Sequence, residues 1–112
     1  MPSPAAPDVI AEAVARIVRA ADPLRIAVFG SMARGTATPD SDLDLLVVVP
    51  HVDDRRRATV TLRRALDDLP VAKDLVLTTP DDVARRGWIV GTVLHEALRH
   101  GRTVYERPGR AS

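Results

Sequence analysis

With 112 residues, the chain is long enough for one domain and too short for two. Aromatic residues make up 3%, which excludes a platform for stacking bases, and the absence of cysteine excludes a disulfide scaffold or a thiolate zinc site. The 16 Lys and Arg residues nearly balance the 15 Asp and Glu residues, so net charge selects no class of partner.

Residues 1–7 carry three prolines and are expected to form a flexible leader. They show no basic region followed by an apolar core, so no signal peptide is expected, and the longest aliphatic run, Leu45 to Val49, is far short of a membrane span. A cytoplasmic protein with no membrane partner is the expectation. From Asp8 the spacing of Ile10, Ala13, Val14, Ile17, Val18 and Ala21 predicts a helix with one apolar stripe, ended at Asp22-Pro23. Leu24 to Phe29 reads as a buried strand stopped by Gly30, and Ser31 to Arg34 could begin a helical turn. A polar loop follows, and Leu43 to Val49, closed by Pro50, is the strongest strand signal in the chain.

Asp53 or Asp54 can cap a second long helix, with Ala58, Leu62, Ala65, Leu66 and Leu69 as its apolar stripe. Val71 to Thr78 is a third strand. Thr79-Pro80-Asp81-Asp82 is a strong helix start: a hydroxyl cap, proline in the first turn and acids at the positive end of the helix dipole. Gly87 should break that helix, and another should run from Trp88 to His100 with Gly101 behind it. Its apolar residues, Trp88, Ile89, Val90, Val93, Leu94, Ala97 and Leu98, spread around more of the surface than one core stripe needs, so part of the helix is expected to face a partner. Thr103 to Tyr105 can form a last strand, and 107–112 a flexible tail. The alternation gives an α/β fold: one small domain, residues 8–106, with a mixed three- to four-stranded sheet flanked by helices.

Two stretches carry chemistry: Phe29-Gly-Ser-Met-Ala-Arg-Gly35 and Ser41-Asp-Leu-Asp-Leu-Leu-Val47. On a strand, Asp42 and Asp44 point to one face with their backbones ~6.6 Å apart. Two bare carboxylates there repel by ~2.5 kcal/mol at an effective dielectric constant of ~20. Such a pair opening an apolar strand calls for a cation, and hard oxygen ligands suit Mg²⁺ or Mn²⁺. Gly30 lets the backbone approach a phosphate, free amides at a helix start bind anions, and Ser31 and Arg34 add a hydroxyl and a guanidinium fork.

Connection lengths bring these groups together. About a dozen residues between the first two strands are ample for an antiparallel link and marginal for a parallel crossover. Gly30-Ser31 should then lie beside Asp42. A full helix between the second and third strands favours a parallel pair, which puts Asp74 at the same end of the sheet.

The pattern of an apolar residue, Gly-Ser, about ten residues and Asp-apolar-Asp-apolar resembles the nucleotidyltransferase superfamily of DNA polymerase beta. The longer form, Gly-Ser-Met-Ala-Arg-Gly with Ser-Asp-Leu-Asp-Leu, together with Gly101-Arg-Thr-Val-Tyr105-Glu, looks like the minimal nucleotidyltransferases. The resemblance implies a nucleotidyltransferase fold and metal-dependent transfer of AMP from ATP to a hydroxyl of a partner protein. The implied partner is a HEPN-type toxin that this chain would counter as an antitoxin. It implies that Asp42, Asp44 and Asp74 hold Mg²⁺ or Mn²⁺ and that Gly30, Ser31 and Arg34 bind the triphosphate. Two other readings stand beside it: an adenylyltransferase acting on a small molecule, as aminoglycoside nucleotidyltransferases do, and a non-catalytic antitoxin that works by binding.

The remaining polar residues have plainer readings. Asp53, Asp54, Asp67, Asp68, Asp81 and Asp82 read as helix-end charges. His95 and His100 are five apart, not the four a zinc-binding helix needs, and read as surface residues. Arg55-Arg56-Arg57 and Arg63-Arg64 read as a solvated helix face, so direct nucleic-acid binding is not expected.

Overall fold

The apolar runs at Ile26–Phe29 and Leu45–Val48 are too continuous for strands with one wet face. In the computed structural model, which describes residues 7–30, 43–69, 73–87 and 93–108, both are buried on their two sides. The elements in chain order are α1 (Pro7–Ala21), β1 (Arg25–Phe29), β2 (Leu43–Val48), α2 (Arg55–Ala65), β3 (Lys73–Thr78), α3 (Pro80–Arg86), α4 (Val93–His100) and β4 (Arg102–Glu106). They form a small α/β domain around a four-stranded mixed sheet of order β3-β2-β1-β4.

β1 and β2 are antiparallel, with Phe29 opposite Asp44, and β2 and β3 are parallel, with Asp44 opposite Asp74. β4 pairs antiparallel with the other edge of β1. Each face of the sheet has its own core. On one, Ile26, Val28, Leu43, Leu45, Val47, Leu75 and Leu77 meet Ala13 and Ile17 of α1 and Leu62 of α2. On the other, Ala27, Phe29, Leu46 and Val48 meet Ala97 of α4, with Leu94 and Leu98 packed alongside. Burying one such Leu or Phe contributes ~1.5–3 kcal/mol, so the two central strands anchor the domain.

Caps fix the helix starts. Asp54, not Asp53, caps α2: its Oδ1 accepts from Arg57 N at 3.1 Å. Thr79 caps α3, its Oγ1 accepting from Asp82 N at 3.1 Å, with Pro80 in the first turn. α2 ends at Ala65, yet Leu66 and Leu69 of the expected stripe remain buried in the turn beyond it. Of the helix expected over 88–100, residues 88–92 lie outside the described residues and α4 occupies the rest.

Asp22 ends α1 in the left-handed region, φ 45°, while its N–H bonds Val18 O at 3.0 Å. Asp tolerates that conformation better than most residues because its short side chain bonds locally. Here Arg107 pairs with the Asp22 carboxylate at 3.3 Å and also donates to its carbonyl. Just past β4, Arg107 N donates to Leu24 O at 2.9 Å. Among the described residues no helix is long and apolar enough to cross a membrane.

Candidate functional site

The chain turns sharply where β1 ends. Gly30 has φ 74°, a region open to glycine and costly for residues with a Cβ. The turn lies against Asp44: a Cβ on Gly30 would overlap the Asp44 carboxylate, Oδ2 being the nearest atom. The glycine therefore serves two needs at once, the backbone conformation and the space for a carboxylate. The expectation put this turn beside Asp42; among the described residues it is Asp44 that it touches, and Asp42 itself lies outside them.

Asp44 interrupts an otherwise buried strand. It is half-buried, between Leu43 and Leu45, which are fully buried. Its alternation with Leu46 and Val48 puts it on the face that packs against α4. Asp74 stands next to it in register on β3 and shares that face with Val76 and Thr78. Neighbouring strands are ~4.8 Å apart, so the two charges repel by roughly 3 kcal/mol at an effective dielectric constant of ~20. Asp74 is exposed and has a partial counterion: Arg63 Nη2, from the last turn of α2, lies 3.7 Å from its Oδ1. An exposed pair of that length contributes at most about 1 kcal/mol.

Three of the sequence-predicted positions, Gly30, Asp44 and Asp74, thus meet at one end of the sheet, each from a different segment. Ser31, Arg34 and Asp42 lie outside the described residues. The donor set fits a hard divalent cation: two adjacent carboxylates with oxygen donors only, one of them in the space that the missing Gly30 side chain leaves. Among the described residues no group of three or more His, Cys, Asp or Glu side chains is gathered for a metal ion, and Asp42, the third expected carboxylate, is not one of them.

Two ion-pair relationships carry no signal in the sequence. The run Arg63-Arg64 is expected on a solvated face, and the place of Arg63 beside Asp74 depends on the packing of α2 on the sheet. At the opposite end of β3, Arg55 donates to Leu77 O and pairs with Asp82 at 2.9 Å, while buried Thr78 Oγ1 donates to Asp82 Oδ2 at 3.2 Å. This junction ties α2 and α3 to the end of β3 away from Asp74. His95, expected on the surface, is half-buried with Nδ1 3.0 Å from Gly87 O.

Residues 8–100 match the family model described as nucleotidyltransferase domain. The fold is similar to a crystal structure of a candidate nucleotidyltransferase from Sulfolobus solfataricus, with a TM-score of 0.64 and 17% identity over 94% of this chain and 84% of that one. A toxin-antitoxin crystal structure with AMP-PNP is also similar, with a TM-score of 0.49 and 25% identity over 84% of this chain and 71% of that one. No curated protein matches the chain at a significant level.

Proposed function

This chain belongs to the nucleotidyltransferase domain family, and on that premise we propose that it moves AMP from ATP to a hydroxyl of a partner protein. The observation that carries the reading is the meeting of Gly30, Asp44 and Asp74 at one end of the sheet. Asp42 and Asp44 would hold the divalent ion carried by the triphosphate, Mg²⁺ or Mn²⁺, and Asp74 would help hold a second. Bound there, the ions would neutralise charge on the transferring phosphate and on the leaving group.

The chain's own residues supply position and proton handling. Gly30 lets the backbone approach the phosphates, Ser31 donates its hydroxyl to a phosphate oxygen, and Arg34 adds a charged fork. Asp74, the most exposed of the described site residues, faces the side from which an acceptor arrives; it orients the acceptor hydroxyl and takes its proton. The hydroxyl oxygen bonds to the α-phosphorus, the bond to the β-phosphate breaks, and pyrophosphate leaves. The rate comes from alignment and charge compensation.

A protein acceptor is what the resemblance to the minimal nucleotidyltransferases implies. The resemblance of Gly30-Ser31 to Gly35 and Ser41 to Leu45 to the minimal nucleotidyltransferases favours a HEPN-type toxin as that acceptor. The chain would then act as the antitoxin of a cytoplasmic pair. Intact-mass spectrometry of a co-expressed HEPN-type partner, after incubation with ATP and Mg²⁺, tests this. The partner should gain the mass of one AMP group on a hydroxyl side chain. A stable complex whose partner mass stays unchanged would leave antitoxin action by binding alone, and AMP transfer to a small alcohol by the isolated chain would favour the small-molecule reading.

A further inference from the structure

α2 holds five arginines, Arg55, Arg56, Arg57, Arg63 and Arg64, among its eleven residues and no carboxylate. Two of them are engaged: Arg55 pairs with Asp82, and Arg63 lies beside Asp74. Arg56, Arg57 and Arg64 are exposed, and no carboxylate pairs with them among the described residues. Helix stability does not explain Arg56 and Arg57. They stand in the first turn, at the positive end of the helix dipole, which favours acids.

At about 3.6 residues per turn, Arg56, Val60, Arg63 and Arg64 fall within roughly 100° of one another, and Arg57 borders them. Leu62, buried in the core on the sheet side, lies on the opposite face of the helix. Among the described residues Val60 is the one large apolar side chain that stands exposed, at 42%. It sits among the guanidinium groups. The row spans about 12 Å from Arg56 to Arg64, and the Arg63 end is the end at the candidate site.

Guanidinium groups without counterions recognise carboxylates or phosphates through paired N–H donors. The surroundings favour carboxylates carried by a protein. Asp53 and Asp54 precede the row and Asp67 and Asp68 follow it, so acids bound it at both ends. A nucleic-acid strand carries a charge at every nucleotide and would run from the row into those acids. A protein segment can set its carboxylates against Arg56 to Arg64 alone, with an apolar side chain on Val60. Protein interfaces are enriched in arginine in this way.

We propose that the outer face of α2 docks an acidic segment of the acceptor protein and brings its hydroxyl past Arg63 to the Asp74 end of the sheet. The inference rests on the reading of the acceptor as a protein and adds the chemistry by which that protein is chosen. The arginine row steers encounter with acidic surfaces and rejects basic ones.

Fluorescence anisotropy tests the surface with the full chain and no nucleotide. The probe is a labelled peptide of alternating Glu and Ala around one Tyr. The same peptide with Gln for Glu, and an oligodeoxythymidine of equal charge, are the comparisons. The wild type should bind the acidic peptide at least about tenfold more tightly than either, and salt should weaken the binding. Arg56→Glu with Arg64→Glu should cost about tenfold or more, while Arg19→Glu on exposed α1 and Asp44→Asn should keep the affinity. Circular dichroism on each variant separates lost binding from lost fold. Tight peptide binding by a chain that transfers no AMP would uphold the surface and count against the reaction. Equal binding of the Gln peptide, an oligonucleotide bound as tightly as the acidic peptide, an α2 variant that binds like the wild type, or an Arg19→Glu variant that loses as much would each overturn the proposal.

Discussion

Asp44 and Asp74 are register partners across the parallel pair of β2 and β3, two carboxylates side by side on one face of the sheet. Two like charges side by side carry an electrostatic cost, and Arg63 lies 3.7 Å from the Asp74 carboxylate. Asp44→Asn keeps the shape and removes one charge. It should lower the transfer rate by about a hundredfold or more while thermal unfolding stays near that of the wild type. Asp74→Asn should cut turnover and spare nucleotide affinity. Wild-type turnover in Asp74→Asn, measured as pyrophosphate release in the presence of the acceptor, would remove Asp74 from the reaction.

Gly30→Ala separates the two roles of the glycine. A side chain at φ 74° costs about 1–3 kcal/mol, which a urea unfolding curve should record. The new methyl also displaces the Asp44 carboxylate, so ATP affinity in the presence of metal should fall beyond what the stability loss explains. A variant that loses stability and keeps full ATP affinity would show that the contact with Asp44 is incidental to binding.

The Arg55, Asp82 and Thr78 junction should behave as one unit. Asp82→Ala leaves the buried Thr78 hydroxyl without its acceptor and should cost about 1–3 kcal/mol. In that background Thr78→Val should cost less than in the wild type, because the stranded hydroxyl is gone. A double-mutant cycle in urea checks the coupling, and strict additivity would mean that Thr78 and Asp82 do not depend on each other.

One pH effect has a definite sign. The hydrogen bond from Arg16 holds the Asp68 carboxyl below its ordinary value of 3.8, and the nearby charge acts in the same direction. A carboxylate depressed in the folded state contributes stability above its unfolded pKa and loses it as pH falls through the folded value. Asp68→Asn should therefore be less stable than the wild type near neutral pH, with the gap closing below the ordinary carboxylate range. Both side chains lie at the surface, so high salt should narrow the gap as well. A gap that widens on acidification would reverse the assignment.

The sheet was legible because connection length restricts strand direction. The short link from Phe29 to Leu43 and the helix between Val48 and Lys73 fixed one antiparallel and one parallel pair, and those two relations brought Asp44 to both Gly30 and Asp74. The cap at Thr79 follows local rules and is readable, whereas at α2 local rules allow Asp53 or Asp54 and the structure selects Asp54. Ends that depend on tertiary packing were not. Leu66 and Leu69 continue a helical spacing, and nothing local announces that the helix stops at Ala65 while both stay buried. The slip that makes Val104 an extra residue, the left-handed Asp22 held by Arg107, and the reach of Arg63 to Asp74 all join distant segments, where spacing along the chain carries no signal.

Calorimetry of ATP binding tests the central claim, a metal-dependent nucleotide site at the Gly30, Asp44 and Asp74 end of the sheet. ATP should bind the wild type in Mn²⁺ or Mg²⁺, bind at least about tenfold more weakly in EDTA, and lose most of that metal dependence in Asp44→Asn. Equal affinity with metal and with EDTA, or an Asp44→Asn variant that keeps the full metal effect, would contradict it.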